Sequence, residues 1–166
     1  MREHTTEGGD YQAILRFTSP PAAVVEALTT ADGVTSWWSA TTGDGSVGGT
    51  LRIVFDDDIP VLMRVDTARD DLVQWTCLGY APLPDWAGTT ITYALTPLPD
   101  GGCELAFRHR GLTPKLECYA DCKSGWEHFL PSLRKHVDTG EGTPWASAAD
   151  VARRETRQRR QPAPAH

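Results

Sequence analysis

The stretch TPKLECYADCKSGWEHFLPSLRKHVDTG, residues 113–140, decides the fold. Leu116, Tyr119, Trp126, Leu130, Leu133 and Val137 recur along it at helical spacing and form one apolar stripe. Thr113 and Pro114 supply an N-cap and first-turn pair and Gly140 a stop, so the spacing predicts a single long amphipathic helix over this stretch. Pro131 lies inside it and is expected to kink it, because its ring removes one backbone hydrogen bond and crowds the preceding turn.

Working back toward the N-terminus, the period changes from helical to two. Tyr11, Ala13, Leu15 and Phe17 alternate with Gln12 and Arg16, as a half-buried strand requires. Ser19, read as an N-cap, precedes Pro20 and Pro21 and opens a short helix through Leu28, and a second short helix is expected over Asp32–Trp38. After the glycine-rich TTGDGSVGG, residues 41–49, alternating runs follow around Leu51–Phe55, Val61–Val65, Val73–Cys77, Ile91–Leu95 and Leu105–His109. The fold class is therefore α+β: a curved antiparallel sheet wrapped around a long C-terminal helix, with two short helices after the first strand. A gap left between a bent sheet and one helix is a natural place for a small molecule.

The whole chain has 166 residues and a formal charge of −6, which fits one domain with a sizeable core. Residues 1–10 read as a polar arm, 11–146 as the folded domain, and 147–166 as a basic, solvated and disordered tail. Arg153, Arg154, Arg157, Arg159 and Arg160 concentrate the positive charge in that tail, leaving an acidic body that disfavours phosphate backbones. No nucleic-acid or membrane partner is expected. The polar start MREHTTEGGD reads as neither an export signal nor a membrane span, which predicts a cytoplasmic protein with reduced thiols. Cys118 and Cys122 share a helix face, but no second ligand pair accompanies them, so neither metal nor cofactor is expected.

Several residues invite a functional reading. Gly43, Gly45 and Gly48 match G-x-G-x-x-G, yet they follow a helix and open a strand, the reverse of a dinucleotide site. They read as a loop beside a cavity mouth. Asp56, Asp57 and Asp58 read as a solvated turn. Lys123 falls inside the apolar stripe, where its stem either covers apolar surface or carries the ammonium toward a cavity. His109 shares the inward face of its strand with Leu105 and Phe107: a core histidine, or else a general base or ligand anchor. The inward strand faces carry Phe55, Met63, Trp75, Tyr93 and Phe107 opposite Tyr119, Trp126 and Phe129, while Trp37, Trp38 and Trp86 occupy short-helix or loop contexts near the presumed entrance. Large aromatic faces of this kind pack cores and also stack on planar ligands.

The progression SPPAAVVEALTTADGVTSWW, VGGTLRIVF, VQWTC, WAGTTITYALTP, LAFRHRGL and CKSGWEHFLPSLRKHVDTGEGTPW resembles the SRPBCC (START/Bet v 1-like) proteins. More narrowly, it is similar to the branch typified by the C-terminal domain of the activator of Hsp90 ATPase. The resemblance spans roughly residues 11–145. It implies a helix-grip fold with a mainly apolar cavity, in a superfamily that includes lipid and hormone carriers, polyketide cyclases, ring-hydroxylase subunits and a co-chaperone. His109 and Trp126 fall in its recurrent His-x-Gly-Leu and Gly-Trp patterns, which suggests shared architecture rather than a private active site.

Three functions follow as expectations. The first is binding of a small hydrophobic or aromatic molecule by the twelve residues Trp37, Trp38, Phe55, Met63, Trp75, Trp86, Tyr93, Phe107, His109, Tyr119, Trp126 and Phe129. The second is a cyclase or hydrolase with His109 as acid or base, assisted by Tyr93, Tyr119 or Lys123. The third is a protein-interaction module for an Hsp90-type chaperone, ranked last because the chain shows no companion N-terminal domain. A protein partner or a homodimer stays open.

Overall fold

The computed structural model describes residues 2–3, 9–55 and 58–160. Their order is β1 (Arg2–Glu3), β2 (Tyr11–Phe17), α1 (Pro21–Thr29), α2 (Ala31–Trp37), β3 (Ala40–Gly43), β4 (Thr50–Val54), β5 (Pro60–Arg69), β6 (Leu72–Gly79), β7 (Thr90–Pro97), β8 (Cys103–Arg110), α3 (Tyr119–Thr139) and α4 (Ala148–Arg160). The strands form one antiparallel sheet in the order β1-β2-β8-β7-β6-β5-β4-β3. This is the helix-grip fold, with α3 across the sheet.

Period-two patterning does what it predicts. Tyr11, Ala13, Leu15 and Phe17 are buried along β2, and β8 buries Cys103, Leu105, Phe107 and His109 in the same register, with Tyr11 opposite His109 and Phe17 opposite Cys103. β5 and β6 lose register between Val65 and Thr67, at Asp66. Its carboxylate accepts hydrogen bonds from Arg64, Gln74 and Thr76, which fixes the irregularity.

Four expectations about local structure are corrected. Ser19 is not the cap of α1, because Pro20 occupies that position; Ser19 instead ties the β2–α1 junction to the end of α3, donating its N–H to Asp138 and its hydroxyl to the Val137 carbonyl. The long helix starts at Tyr119 rather than Thr113, since Leu116 and Tyr119 donate to carbonyls three residues back in tight turns. The glycine-rich segment contains a strand, β3, and a hairpin into β4 in which Asp44 N–H donates to the Thr50 carbonyl. Gly43 is left-handed there (φ +104°), and an added Cβ would lie 2.3 Å from the Thr50 carbonyl oxygen, so glycine is a steric requirement of the turn.

The fourth correction concerns the C-terminus. The segment expected to be disordered is helical over Ala148–Arg160, while residues 161–166 lie outside the described residues. Ser147 Oγ accepts the Asp150 N–H, and the Asp150 carboxylate accepts the Ala146 N–H, a local cap that starts α4. Fully buried Asp150 also takes Arg153 (2.7 Å) and Arg154 (3.0 Å), and Arg157 reaches Asp121 on α3. The arginines that suggested a solvated tail are the groups that dock it.

Pro131 lies within α3, and Gly140 ends it in a left-handed C-cap (φ +90°), donating to the His136 carbonyl. At mid-helix the Ser132 hydroxyl donates to the Trp37 carbonyl (2.8 Å) and accepts the Thr143 N–H (2.7 Å). One buried hydroxyl thus joins α2, α3 and the chain leading to α4. Asp56 and Asp57 lie outside the described residues, and Asp58 is exposed with a positive φ.

Candidate functional site

A cavity of about 290 Å³ opens beside the N-terminal half of α3. Its walls are Trp38 at the end of α2, Phe55 after β4, Val61 on β5, Tyr80, Leu83 and Trp86 from the β6–β7 connection, and Asp121, Cys122, Gly125, Trp126 and Phe129 on α3. Trp145 and Arg153 complete it from the C-terminal segment. Asp121 marks the solvent side, its side chain being 77% exposed.

Trp38 is the hinge of the aromatic arrangement. It stacks on Trp37 and Trp75 (centroids 5.7 and 6.1 Å apart) and meets the cavity walls through Trp126 (5.2 Å) and Phe55 (6.0 Å). Trp86 stacks on Trp126 at 6.4 Å, and Trp145 meets Phe55 edge-on at 5.1 Å. The Trp145 N–H donates to the Trp38 carbonyl, which holds that wall against α2.

Of the twelve residues expected at the site, Trp38, Phe55, Trp86, Trp126 and Phe129 line this cavity. Trp37, Met63, Trp75, Tyr93 and Phe107 are instead fully packed in the core. Their volume fills the space over the centre of the sheet, so the cavity is confined to one end of α3. Tyr119 is half-buried and outside the lining. The glycines of the G-x-G-x-x-G match also lie outside it, as does half-buried Lys123. The Trp75 indole N–H and the Tyr93 and Tyr119 hydroxyls have no hydrogen-bond partner among the described residues. Burial raises the Tyr93 pKa well above that of an ordinary phenol, which leaves it protonated and unsuited to act as a base.

His109 is buried and structurally committed. Trp126 Nε1–H donates to its Nδ1 at 3.1 Å, and its Nε2 lies 2.9 Å from Thr89 Oγ1. The Thr89 hydroxyl itself donates to the Trp86 carbonyl at 2.7 Å, so it accepts from His109 Nε2–H. The chain of donors therefore fixes one neutral tautomer with its lone pair already used. Burial lowers the His109 pKa to about 3, outweighing the opposing effect of Asp10. With both nitrogens engaged by side chains, and none of its atoms in the cavity wall, His109 is a core histidine and not the general base considered from sequence.

Cys122 contributes the polarizable part of the wall. Its sulfur accepts the Trp86 indole N–H at 3.3 Å, and burial pushes its thiol up to about 12, with Cys118 hydrogen-bonded beside it. Such a thiol is protonated and a poor nucleophile at neutral pH. All four cysteines are unbridged.

The residues missed from sequence are Val61, Tyr80, Leu83, Asp121, Cys122, Gly125, Trp145 and Arg153. For the last two a signal existed: Ser147-Ala-Ala-Asp150 is a capping-box pattern, and it places a helix where disorder was expected. The other six come from loops, a strand and a helix turn that only the tertiary fold brings together.

The family described as "Activator of Hsp90 ATPase homolog 1-like protein" matches residues 18–138. The chain belongs to this family. Among solved structures it is similar to the Aha1 dimer from Colwellia psychrerythraea, at 27% identity and TM-score 0.69, over 79% of this chain and 97% of that one. It is also similar to CalU16 from Micromonospora echinospora (18% identity, TM-score 0.64, 93% and 89% covered). PFC0360w, an HSP90 activator from Plasmodium falciparum, matches at 17% identity and TM-score 0.64, over 81% of this chain and 98% of that one. Comparison with curated proteins gives no match. The family match ends at residue 138, so Trp145 and Arg153 enter the cavity from beyond the matched span. Among the described residues no helix is long and apolar enough to cross a membrane.

Proposed function

We propose that the protein binds a small planar aromatic or hydrophobic molecule in the cavity beside α3. The observation that carries this reading is the wall itself: Trp38, Phe55, Tyr80, Trp86, Trp126, Phe129 and Trp145 surround a space of about 290 Å³. That volume is near the lower end of the range of about 300–1,000 Å³ for small-molecule sites, which favours one or two fused rings. Aromatic walls reward such rings by burial and by offset or edge-on contact. A binding role is favoured over a catalytic one because His109 is fully engaged in the core and Cys122 is held as a thiol.

Gly125 provides the test. A Cβ built there meets only Phe129, at 4.0 Å, so a larger side chain enters the cavity without striking backbone. Calorimetric titration with neutral 2-naphthamide is expected to show saturable one-to-one binding that Gly125→Leu weakens at least tenfold without lowering Tm. Absence of binding, or binding indifferent to Gly125→Leu, refutes the reading.

Membership of the Hsp90-activator family and the likeness to the Aha1 dimer support a second reading, association with an Hsp90-type chaperone. Stimulation of a purified Hsp90 ATPase by this protein would establish it, and no stimulation at saturating protein would remove it.

A further inference from the structure

The cavity wall is aromatic on nearly every side, but α4 places one guanidinium in it. Arg153 spends its terminal nitrogens on the protein: one donates to Ser124 Oγ at 3.1 Å and the other to Asp150 at 2.7 Å. Its Cζ lies 5.5 Å from the centroid of Phe129, itself a wall residue. Those two bonds use two of its five N–H groups, and the Nε–H is buried with no acceptor among the described residues. The protein thus leaves part of this guanidinium's donor set unspent, and an acceptor brought by a ligand at the cavity wall would use it.

Arg153 and Arg154 share Asp150, and Arg157 holds Asp121, the carboxylate at the cavity's solvent edge. Of these groups only Arg153 and Asp121 lie in the cavity wall, and Asp121, at the solvent edge, is already paired with Arg157. A neutral ring satisfies the wall but not the guanidinium, whereas a carboxylate attached to the ring satisfies both. From these observations we infer that the ligand is an aromatic carboxylate, its ring between the tryptophans and its carboxylate accepting from the Arg153 guanidinium. This rests on the binding reading above and names its ligand class. It also gives α4 a function, since the anchor comes from beyond the family-matched span.

The experiment compares 2-naphthoate with 2-naphthamide, which share a ring and differ in charge, by calorimetry at low salt. The wild-type protein is expected to bind the naphthoate about tenfold or more tightly than the amide. Arg153→Gln removes both the charge and the guanidinium, and Arg153→Lys keeps the charge but lacks the planar guanidinium donors; each is expected to abolish most of the preference while amide binding persists. Thermal melts identify a variant that fails to fold, in which case the other variant decides. Equal affinities in the wild type, or a preference that survives both substitutions, overturns the inference while leaving ring binding intact. If neither probe binds, the binding reading itself fails and takes this one with it.

Discussion

Trp126 donates its indole N–H to His109 Nδ1 across 3.1 Å, and in doing so spends the lone pair that would otherwise make this histidine a base. The contact has a pH signature. The unfolded histidine takes a proton near its ordinary pKa of 6.5, whereas the folded one resists protonation down to about 3. Between those limits the unfolded state binds more protons, so stability is full above pH 6.5 and declines as the pH falls toward 3. The expected slope is about 1.4 kcal/mol per pH unit for this one site. Denaturant titrations at pH 7, 6 and 5 would measure it, and in His109→Gln the slope should fall by one proton's worth.

Gly125 sits inside α3 with open space where a Cβ would go. Gly125→Ala is therefore expected to raise stability by about 0.5–1 kcal/mol, the helix-propensity difference, with no clash to offset it. A lower Tm in this variant would mean that the space beside Gly125 is smaller than described.

Loss of the Ser132 hydroxyl strands two buried backbone groups at once, the Trp37 carbonyl and the Thr143 N–H. Ser132→Ala is expected to cost about 1–3 kcal/mol, far more than a typical surface serine. Chemical denaturation at fixed pH would show the loss as a shifted midpoint with unchanged slope.

Asp150 is the electrostatic hub of α4. Burial opposes its ionisation, but hydrogen bonds from Arg153 and the Ala146 N–H, with the charges of Arg153 and Arg154, outweigh burial and hold its pKa below the usual 3.8. A depressed carboxylate pKa stabilises the fold above the unfolded value, and that contribution is lost as the pH falls through the folded one. Docking of α4 should accordingly persist at neutral pH and weaken below about pH 4. Asp150→Ala, which leaves Arg153 and Arg154 without their shared partner, is expected to expose residues 148–160 to rapid amide exchange at pH 7 while β7 and β8 stay protected. Exchange protection unchanged along α4 would show that the helix is held by other contacts.

How much of this was legible beforehand depended on which force built each part. β2 and β8 declare themselves because one face is buried and one is not, so Tyr11, Ala13, Leu15 and Phe17 alternate visibly. β3 does not, because Ala40–Gly43 is largely exposed and carries no apolar alternation. The helix α4 was hidden for a different reason: its partners are carboxylates and the Trp145 ring, which Arg154 covers at 4.0 Å, rather than an apolar stripe. A run of arginines reads as solvated unless the buried Asp150 is known. The candidate site was legible only in kind. Aromatic composition pointed to stacking surfaces, but neither spacing nor period could separate Trp38 and Trp126, which face the cavity, from Trp37 and Trp75, which fill the core.

Among the described residues, the pairing of β2 with β8 is the one strand contact that spans almost the whole sheet in sequence. Tyr11 lies opposite His109, so β2 has no neighbour on that side until nearly the whole sheet has been synthesised. Closing so large a loop is entropically costly, whereas every other strand pairing joins neighbours in sequence, so the β2–β8 contact is the slow one to form. A nascent chain halted before Arg110 would present Tyr11–Phe17 as an open apolar edge, the segment most in need of chaperone protection during synthesis.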